Sequence, residues 1–88
     1  MTITYDNSQI TFAFVDDKKF SNRTISYFKQ DIVGVAFEND TVYIFSENNT
    51  YESGFDTPCG GLSFLYSDIT SPVYANAEAC ANAILAMI

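Results

Sequence analysis

Residues 31–51, with the sequence DIVGVAFENDTVYIFSENNTY, predict a β-hairpin whose two faces are both apolar. A two-residue turn at Asn39-Asp40 pairs Phe37 with Val42 and, by counting outward, Gly34 with Phe45. One face then carries Val33, Val35, Phe37, Val42 and Ile44, and the other carries Gly34, Ala36, Tyr43 and Phe45. A small antiparallel sheet needs only one apolar face. The second face therefore predicts cover from the chain's own helix or from another subunit.

The segment TITYDNSQITFAFV predicts a hairpin with one polar and one apolar face. A tight turn at Asp6-Asn7 or Asn7-Ser8 suits residues that tolerate turn conformations. With either turn, the alternation places one set of apolar side chains together: Ile3, Tyr5, Ile10, Phe12 and Phe14. This is the pattern of a half-buried hairpin.

Two further strands and two loops fill the middle of the chain. Loop composition marks DDKKFSNR and SGFDTPCGG, whereas TISYFKQ and LSFLYS have strand character. A kink or bulge near Gln30 would let the next strand begin directly at Asp31. A further turn at Asn48-Asn49 would bring Tyr51 beside Ser46.

The alanine-rich C-terminal segment NAEACANAILAM predicts a helix. It starts either at Pro72 as the first helical residue or with Asn76 as its N-cap. The apolar side chains at helical spacing are Ala77, Cys80, Ala81, Ile84 and Ile88. The small residues at the start of this stripe predict close packing against a neighbouring element.

The order of elements predicts one domain over residues 1–88 of a mainly β, α+β class. We expect a small curved antiparallel sheet or barrel of about six or seven strands, with one C-terminal helix packed on it. No internal repeat is apparent in the sequence. Such a chain buries only roughly 60–65% of its unfolded surface, so partner subunits would add needed stability.

Charge narrows the list of partners. The chain has 11 acidic and 4 basic residues, a formal net charge of −7, which repels nucleic acid and anionic membrane surfaces. No segment approaches the ~18 apolar residues of a membrane-spanning helix, and the first residues lack a signal-peptide pattern. We therefore expect a soluble intracellular protein, which could also be part of a viral particle.

The chain offers little chemistry for catalysis. It has no His and two Cys, so neither a Cys-His pair nor an ordinary zinc site can form within it, and no cofactor is expected. Cys59 in the TPCGG loop is the one candidate reactive thiol, whereas Cys80 lies on the apolar helix stripe. The carboxylates fall at turns, where water surrounds them. These observations argue against an enzyme.

The leading hypothesis is a non-catalytic, self-associating interaction or assembly module that forms a homo-oligomer, with a different protein as another possible partner. The expected interface residues are Tyr43, Phe45, Phe55, Phe64, Ile84 and Ile88. The alternative is a small barrel that binds a ligand or a peptide, with the loop 54–61 at its rim and aromatic side chains lining a pocket. A small enzyme is the weakest of the three hypotheses.

Overall fold

Six strands and one helix make up the part of the chain that the computed structural model describes, namely residues 1–15, 22, 24–47 and 61–88. The elements are β1 (Thr2–Tyr5), β2 (Gln9–Ala13), β3 (Thr24–Phe28), β4 (Ile32–Glu38), β5 (Thr41–Ser46), β6 (Gly61–Leu65) and α1 (Ala77–Met87). The predicted antiparallel β architecture with a C-terminal helix is thus confirmed. The predicted strand after Asn48-Asn49, its pairing with Ser46 and residues 54–60 of the predicted loop lie outside the described residues, whereas Gly61 begins β6 and is not part of a loop.

The strands form two antiparallel sheets rather than a closed barrel, so the barrel part of the prediction is not confirmed. The first sheet has the order β1-β2-β3 and the second has the order β4-β5-β6. A 3₁₀ turn over Lys29–Asp31 separates β3 from β4 and directs the chain from one sheet to the other. The inner faces of the two sheets meet in the core, where the ring centroids of Phe12 and Phe64 are 5.7 Å apart.

The register of the two-faced hairpin follows the prediction. Phe37 pairs with Val42, Val35 with Ile44, and Gly34 with Phe45, and an irregularity between Ile32 and Gly34 shifts the register at the start of β4. Val42 and Ile44 are fully buried on the inner face. Tyr43 and Phe45 must therefore point outward, because successive side chains in a strand alternate between faces.

The first hairpin turns at Asn7-Ser8, the second of the two predicted positions. The amide of Asp6 donates to the carbonyl of Gln9 across the turn. The Asp6 side-chain oxygen Oδ1 accepts hydrogen bonds from the Ser8 amide at 2.8 Å and the Gln9 amide at 2.9 Å. Asp6 thus closes the turn as an Asx cap.

Asn76 caps the helix, which settles the predicted choice between two starting points. Its side-chain oxygen accepts a hydrogen bond from the Ala79 amide at 2.7 Å, as an N-cap does. The helix packs against β4 and β5, and its buried residues Ala77, Cys80, Ala81 and Ile84 join the same core as Val42 and Ile44. Ala36 and Phe45 remain exposed, so the helix leaves the outer face of the second sheet open.

The two sheets have the same strand order and connections, a structural repeat that is not apparent in the sequence. Each is a three-stranded meander in which a hairpin is followed by a third strand and a 3₁₀ turn. The pairs Ile3–Phe12 and Phe12–Ile25 in the first sheet correspond to Val35–Ile44 and Ile44–Leu62 in the second. Each paired position in the first sheet therefore has an equivalent position in the second sheet.

The repeat extends through the 3₁₀ turns, Lys29–Asp31 and Tyr66–Asp68. Each turn ends at an isoleucine in nearly the same conformation, with φ −81° and ψ 117° at Ile32 and φ −83° and ψ 118° at Ile69. The sequence signal is faint, since the residues that recur are an Asn in the hairpin turn, a Ser in the third strand and the Asp-Ile pair at the end of the 3₁₀ turn. The two sheets share the alternation of apolar and other residues, and few residue identities.

The segment after the second turn returns to the first sheet. The Thr70 amide donates to the Met1 carbonyl at 2.8 Å, and the Ile3 amide donates to the Ser71 carbonyl at 3.1 Å. Thr2 and Ser71 form a parallel bridge. These hydrogen bonds hold β1 against the segment that follows β6. The two sheets are thus joined by the 3₁₀ turn between β3 and β4 and by this contact.

Two glycines of the second sheet allow a matched test of strand packing. A Cβ at Gly61 would lie 2.7 Å from the carbonyl oxygen of Ile44, whereas one at Gly34 would lie 3.7 Å from Phe45 Cδ2. We expect Gly61→Ala to lower the free energy of unfolding by about 1–3 kcal/mol, because backbone must shift. Gly34→Ala, the control, should change it by less than about 0.5 kcal/mol. Urea denaturation measures both, and equal losses would contradict the β5–β6 geometry.

The Asp6 cap predicts a pH effect on the first hairpin. Hydrogen bonds from the Ser8 and Gln9 amides hold the pKa of the Asp6 carboxyl below its ordinary value of 3.8. Because the folded pKa is the lower one, the cap's stabilisation is complete above the unfolded pKa and is lost as pH falls through the folded pKa. An NMR titration should show Asp6 titrating below 3.8. Asp6→Asn keeps an oxygen acceptor and serves as the control without titration.

Candidate interaction surface

The outer face of the first sheet carries hydroxyl groups over most of its area and one large apolar side chain at its edge, Phe28, which pairs with Gln9 and is 38% exposed. One row across its three strands consists of Thr4, Thr11 and Ser26, and the next consists of Thr2, Ala13 and Thr24. The hydroxyls of Thr11 and Ser26 are hydrogen-bonded at 3.0 Å. Ser26 is buried and Thr11 is half-buried, so this pair of hydroxyls is largely shielded from solvent.

The equivalent positions in the second sheet carry aromatic side chains. The two rows there consist of Ala36, Tyr43, Ser63 and of Gly34, Phe45, Gly61. Tyr43 thus stands where the first sheet has Thr11, and Phe45 stands where it has Ala13. Phe45 is 45% exposed and Tyr43 is half-buried. We call this surface the aromatic face, defined by Tyr43, Phe45 and the small residues beside them, together with Leu65.

The relief of the aromatic face is a ridge with unequal sides. Tyr43 and Phe45 form the ridge along β5, and the residues beside them on β4 and β6 are small. The Phe45 ring lies beside Gly34, since its Cδ2 would be 3.7 Å from a Cβ there, and among described residues the Ile44 backbone comes that close at Gly61. Ala36 on the β4 side is exposed, whereas Gly61 and Ser63 leave the β6 side low and half-buried. Leu65, 44% exposed, stands at the end of β6 beside it.

Carboxylates stand at both ends of the aromatic face. Glu38 lies opposite Thr41 at the turn end, next to Asp40 in the turn. Glu47 follows β5 at the other end, where its amide donates to the carbonyl of Asp31 at 2.9 Å. All three carboxylate-bearing residues Glu38, Asp40 and Glu47 are exposed. In the described residues the surface is apolar at its centre and negative at its ends.

The described part of the chain offers no positive charge to balance these carboxylates locally. Its basic side chain, Lys29, belongs to the 3₁₀ turn after β3 and lies over the first sheet's Tyr5, with Nζ 5.3 Å from the centroid of the ring. The other basic residues, Lys18, Lys19 and Arg23, fall outside the described residues. Among described residues the aromatic face therefore faces solvent with an uncompensated negative rim.

The six predicted interface residues fall in different environments. Tyr43 and Phe45 lie on the aromatic face, whereas Ile88, 48% exposed, lies at the end of the helix. Phe64 and Ile84 are buried in the core, Phe64 because its position in β6 faces the first sheet. Neither is available to a partner in this arrangement. Phe55 lies outside the described residues.

Two features of the surface are absent from the prediction made on sequence. Leu65 is not among the predicted interface residues, although its alternation with the inward-facing Phe64 places it on the same face as Tyr43. The carboxylates are predicted only as solvated turn residues. Counting outward from the Asn39-Asp40 turn puts Glu38 on the outer face, and continuing the alternation beyond β5 puts Glu47 there too, so the sequence contains the signal.

The chemistry of the described residues is sparse. No three His, Cys, Asp or Glu side chains in residues 1–15, 22, 24–47 and 61–88 group closely enough to hold a metal ion. Cys80 is a free thiol, fully buried, and burial raises its pKa to about 11. Cys59, the candidate reactive thiol, lies outside the described residues.

The burial of Cys80 predicts a thiol that does not react while the protein is folded. At neutral pH a thiol with a pKa near 11 is almost entirely protonated, and its sulfur has no access to reagent. In a Cys59→Ser variant, we expect alkylation of Cys80 by iodoacetamide only after denaturant is added, as followed by mass spectrometry. Rapid labelling of the folded variant would contradict the placement of Cys80 in the core.

No family model matches the chain, and no curated protein and no solved structure is significantly similar to it. Function has to follow from the residues and their geometry alone. Where the chain is described, no helix combines the length and the apolar character that crossing a membrane requires. The aromatic face is the surface on which a function can best be argued.

Proposed function

We propose that this chain is a non-catalytic interaction module that binds another protein through the aromatic face. The supporting observation is the contrast between equivalent positions in the two repeats. The first sheet carries Thr11 and Ala13 on its outer face, and the second carries Tyr43 and Phe45. Since the first sheet forms with Thr11 and Ala13 there, the architecture itself does not require aromatic side chains at these two positions.

The energetic argument rests on clustering rather than on exposure alone. Single exposed apolar side chains are normal on protein surfaces. Here Phe45 and Leu65 are both nearly half exposed and share one face with Tyr43. Fully burying one such side chain is worth roughly 1.5–3 kcal/mol, so a partner that covered the cluster would gain several times the thermal energy.

The residue types also suit a binding surface. Aromatic side chains are enriched where proteins meet, because they bury a large area at little cost in side-chain entropy. The Tyr43 hydroxyl adds a hydrogen-bonding group at the edge of an apolar ring. The carboxylates Glu38 and Glu47 form the polar rim that surrounds the apolar centre of a typical interface.

Self-association is the expectation from sequence, and the aromatic face gives it a specific surface to test. The ligand-binding alternative calls for a pocket lined by tyrosines. In the described core, Tyr27 is fully buried and packs edge-on against Phe12 at 6.1 Å between ring centroids. Aromatic rings fill this part of the interior, which favours a function at the surface.

A photo-crosslinking amino acid at position 45 tests the proposed function while the partner is still unidentified. We expect p-benzoylphenylalanine in place of Phe45 to crosslink to a protein in cells that naturally contain the chain. The matched control places the same amino acid at Ala13, the equivalent outer position of the first sheet, where no crosslink is expected. Equal crosslinking at both positions, or none at position 45, would contradict the proposal.

The repeat also supplies a conservative variant of the aromatic face. Tyr43→Thr with Phe45→Ala installs the residues that the first sheet has at the equivalent positions. Because both side chains are partly exposed, we expect the free energy of unfolding to fall by no more than about 1–2 kcal/mol. Circular dichroism and urea denaturation check that the variant folds, so that a loss of binding can be assigned to the surface.

A further inference from the structure

We propose that the occupant of the aromatic face is an extended polypeptide segment with apolar side chains at its centre and Lys or Arg at both ends. The inference rests on the proposed function and names the partner's chemistry. It is carried by the line of groups along the outer face, which runs from the exposed Glu38 through the half-buried Tyr43 and the exposed Phe45 to the exposed Glu47. Size, relief and charge each favour such a segment over a second copy of the chain.

The size of the surface matches a short segment. Three strands about 4.8 Å apart are roughly 14 Å wide, and β5 from Thr41 to Glu47 is about 20 Å long at 3.4 Å per residue. An extended segment of about six or seven residues covers that length. The area is thus roughly 300 Å², whereas a stable interface between folded proteins needs about 800 Å² per partner. Two copies meeting through this face alone would fall short.

The relief of the surface suits an extended chain rather than a helix. The residues on both sides of the ridge are small, so a low strip one strand wide runs parallel to β5 over Gly34 and Ala36 and another over Gly61 and Ser63. A backbone lying there can place alternate side chains against the ridge, because strand side chains repeat at every second residue. A helix is about 10 Å across and would rest on top of the ridge, contacting only Phe45 and Tyr43.

Charge disfavours the two simple ways of pairing two copies. A two-fold axis makes each contact reciprocal. Either Glu38 of one copy meets Glu47 of the other, or each glutamate meets its own counterpart. Both arrangements bring carboxylate against carboxylate between chains that each carry a net charge of −7, and like charges across an interface oppose association.

A segment with cationic ends would replace this repulsion between carboxylates with attraction. Its terminal Lys or Arg would pair with the exposed carboxylates of Glu38 and Glu47. An Arg next to the centre would also find the ring faces of Tyr43 and Phe45, where cations bind aromatic rings. Because the carboxylates are exposed, these pairs are screened by salt. Binding should weaken as ionic strength rises, while the apolar contacts persist.

A displayed library of random twelve-residue peptides is the probe. It is selected on the full chain, with the folded Tyr43→Thr/Phe45→Ala variant used for counter-selection. We expect the enriched peptides to contain apolar residues flanked by Lys or Arg, and to bind the double variant at least about tenfold more weakly. Synthetic versions of the enriched peptides are then measured by isothermal titration at two salt concentrations.

A variant without the two glutamate charges separates the contribution of the carboxylates to peptide binding from that of Tyr43 and Phe45. Glu38→Gln with Glu47→Gln keeps the size of both side chains, and we expect it to abolish most of the salt dependence and the preference for cationic ends. Enriched peptides without a cationic excess, peptides that bind the Tyr43→Thr/Phe45→Ala variant equally well, or a selection that yields no binder would each overturn the inference.

Sedimentation of the chain alone distinguishes failure of this inference from failure of the proposed function. We expect a monomer at concentrations where the enriched peptides bind. A dimer that dissociates on Tyr43→Thr/Phe45→Ala would overturn the peptide inference and leave an interaction module that self-associates. No face-dependent peptide, no dimer and no crosslink from position 45 would remove both proposals.

Discussion

The contact between the inner faces of the two sheets, centred on Phe12 and Phe64, is the constraint on which the rest of the structure depends. It requires Val42, Ile44 and their neighbours to point into the core. Since side chains alternate along a strand, a slip of one residue would expose the whole buried set. The outward position of Tyr43 and Phe45 is therefore imposed by the core and not by any contact of their own.

The repeat separates what the fold needs from what it leaves open. Both meanders bury aliphatic and aromatic residues at equivalent inner positions, as Phe12 and Ile44 illustrate. Their outer faces share no such requirement, because one has Thr11 and Ala13 where the other has Tyr43 and Phe45. Where equivalent positions of the two sheets carry different residue types, the fold does not dictate the residue type. Tyr43 and Phe45 of the aromatic face are at such positions, which supports the proposal that this face binds a partner.

Much of the local structure could be predicted from the sequence, because it depends on nearest neighbours along the chain. The pairing of Phe37 with Val42 follows from one turn, and the helix start follows from the side-chain chemistry of Asn76. What could not be predicted depends on contacts between distant segments. The 3₁₀ turn after Phe28 directs the chain from the first sheet to the second. The alternation of apolar residues would be the same in a barrel and in two sheets, so it could not predict which of them forms. The predicted interface has a mixed outcome for the same reason, since only the position of the first sheet decides that Phe64 is buried while Phe45 is not.

The helix answers the question raised by the two apolar faces. Its small residues, Ala77, Cys80 and Ala81, allow it to join the core beside β4 and β5, where the inner face already needs cover. It therefore adds to the burial of one face and leaves the other open. On our proposal, repulsion between the carboxylates at the ends of the aromatic face opposes the pairing of two copies of this acidic chain. The same charges would attract a cationic segment, so the proposed role in partner choice and the opposition to self-association rest on one arrangement of residues.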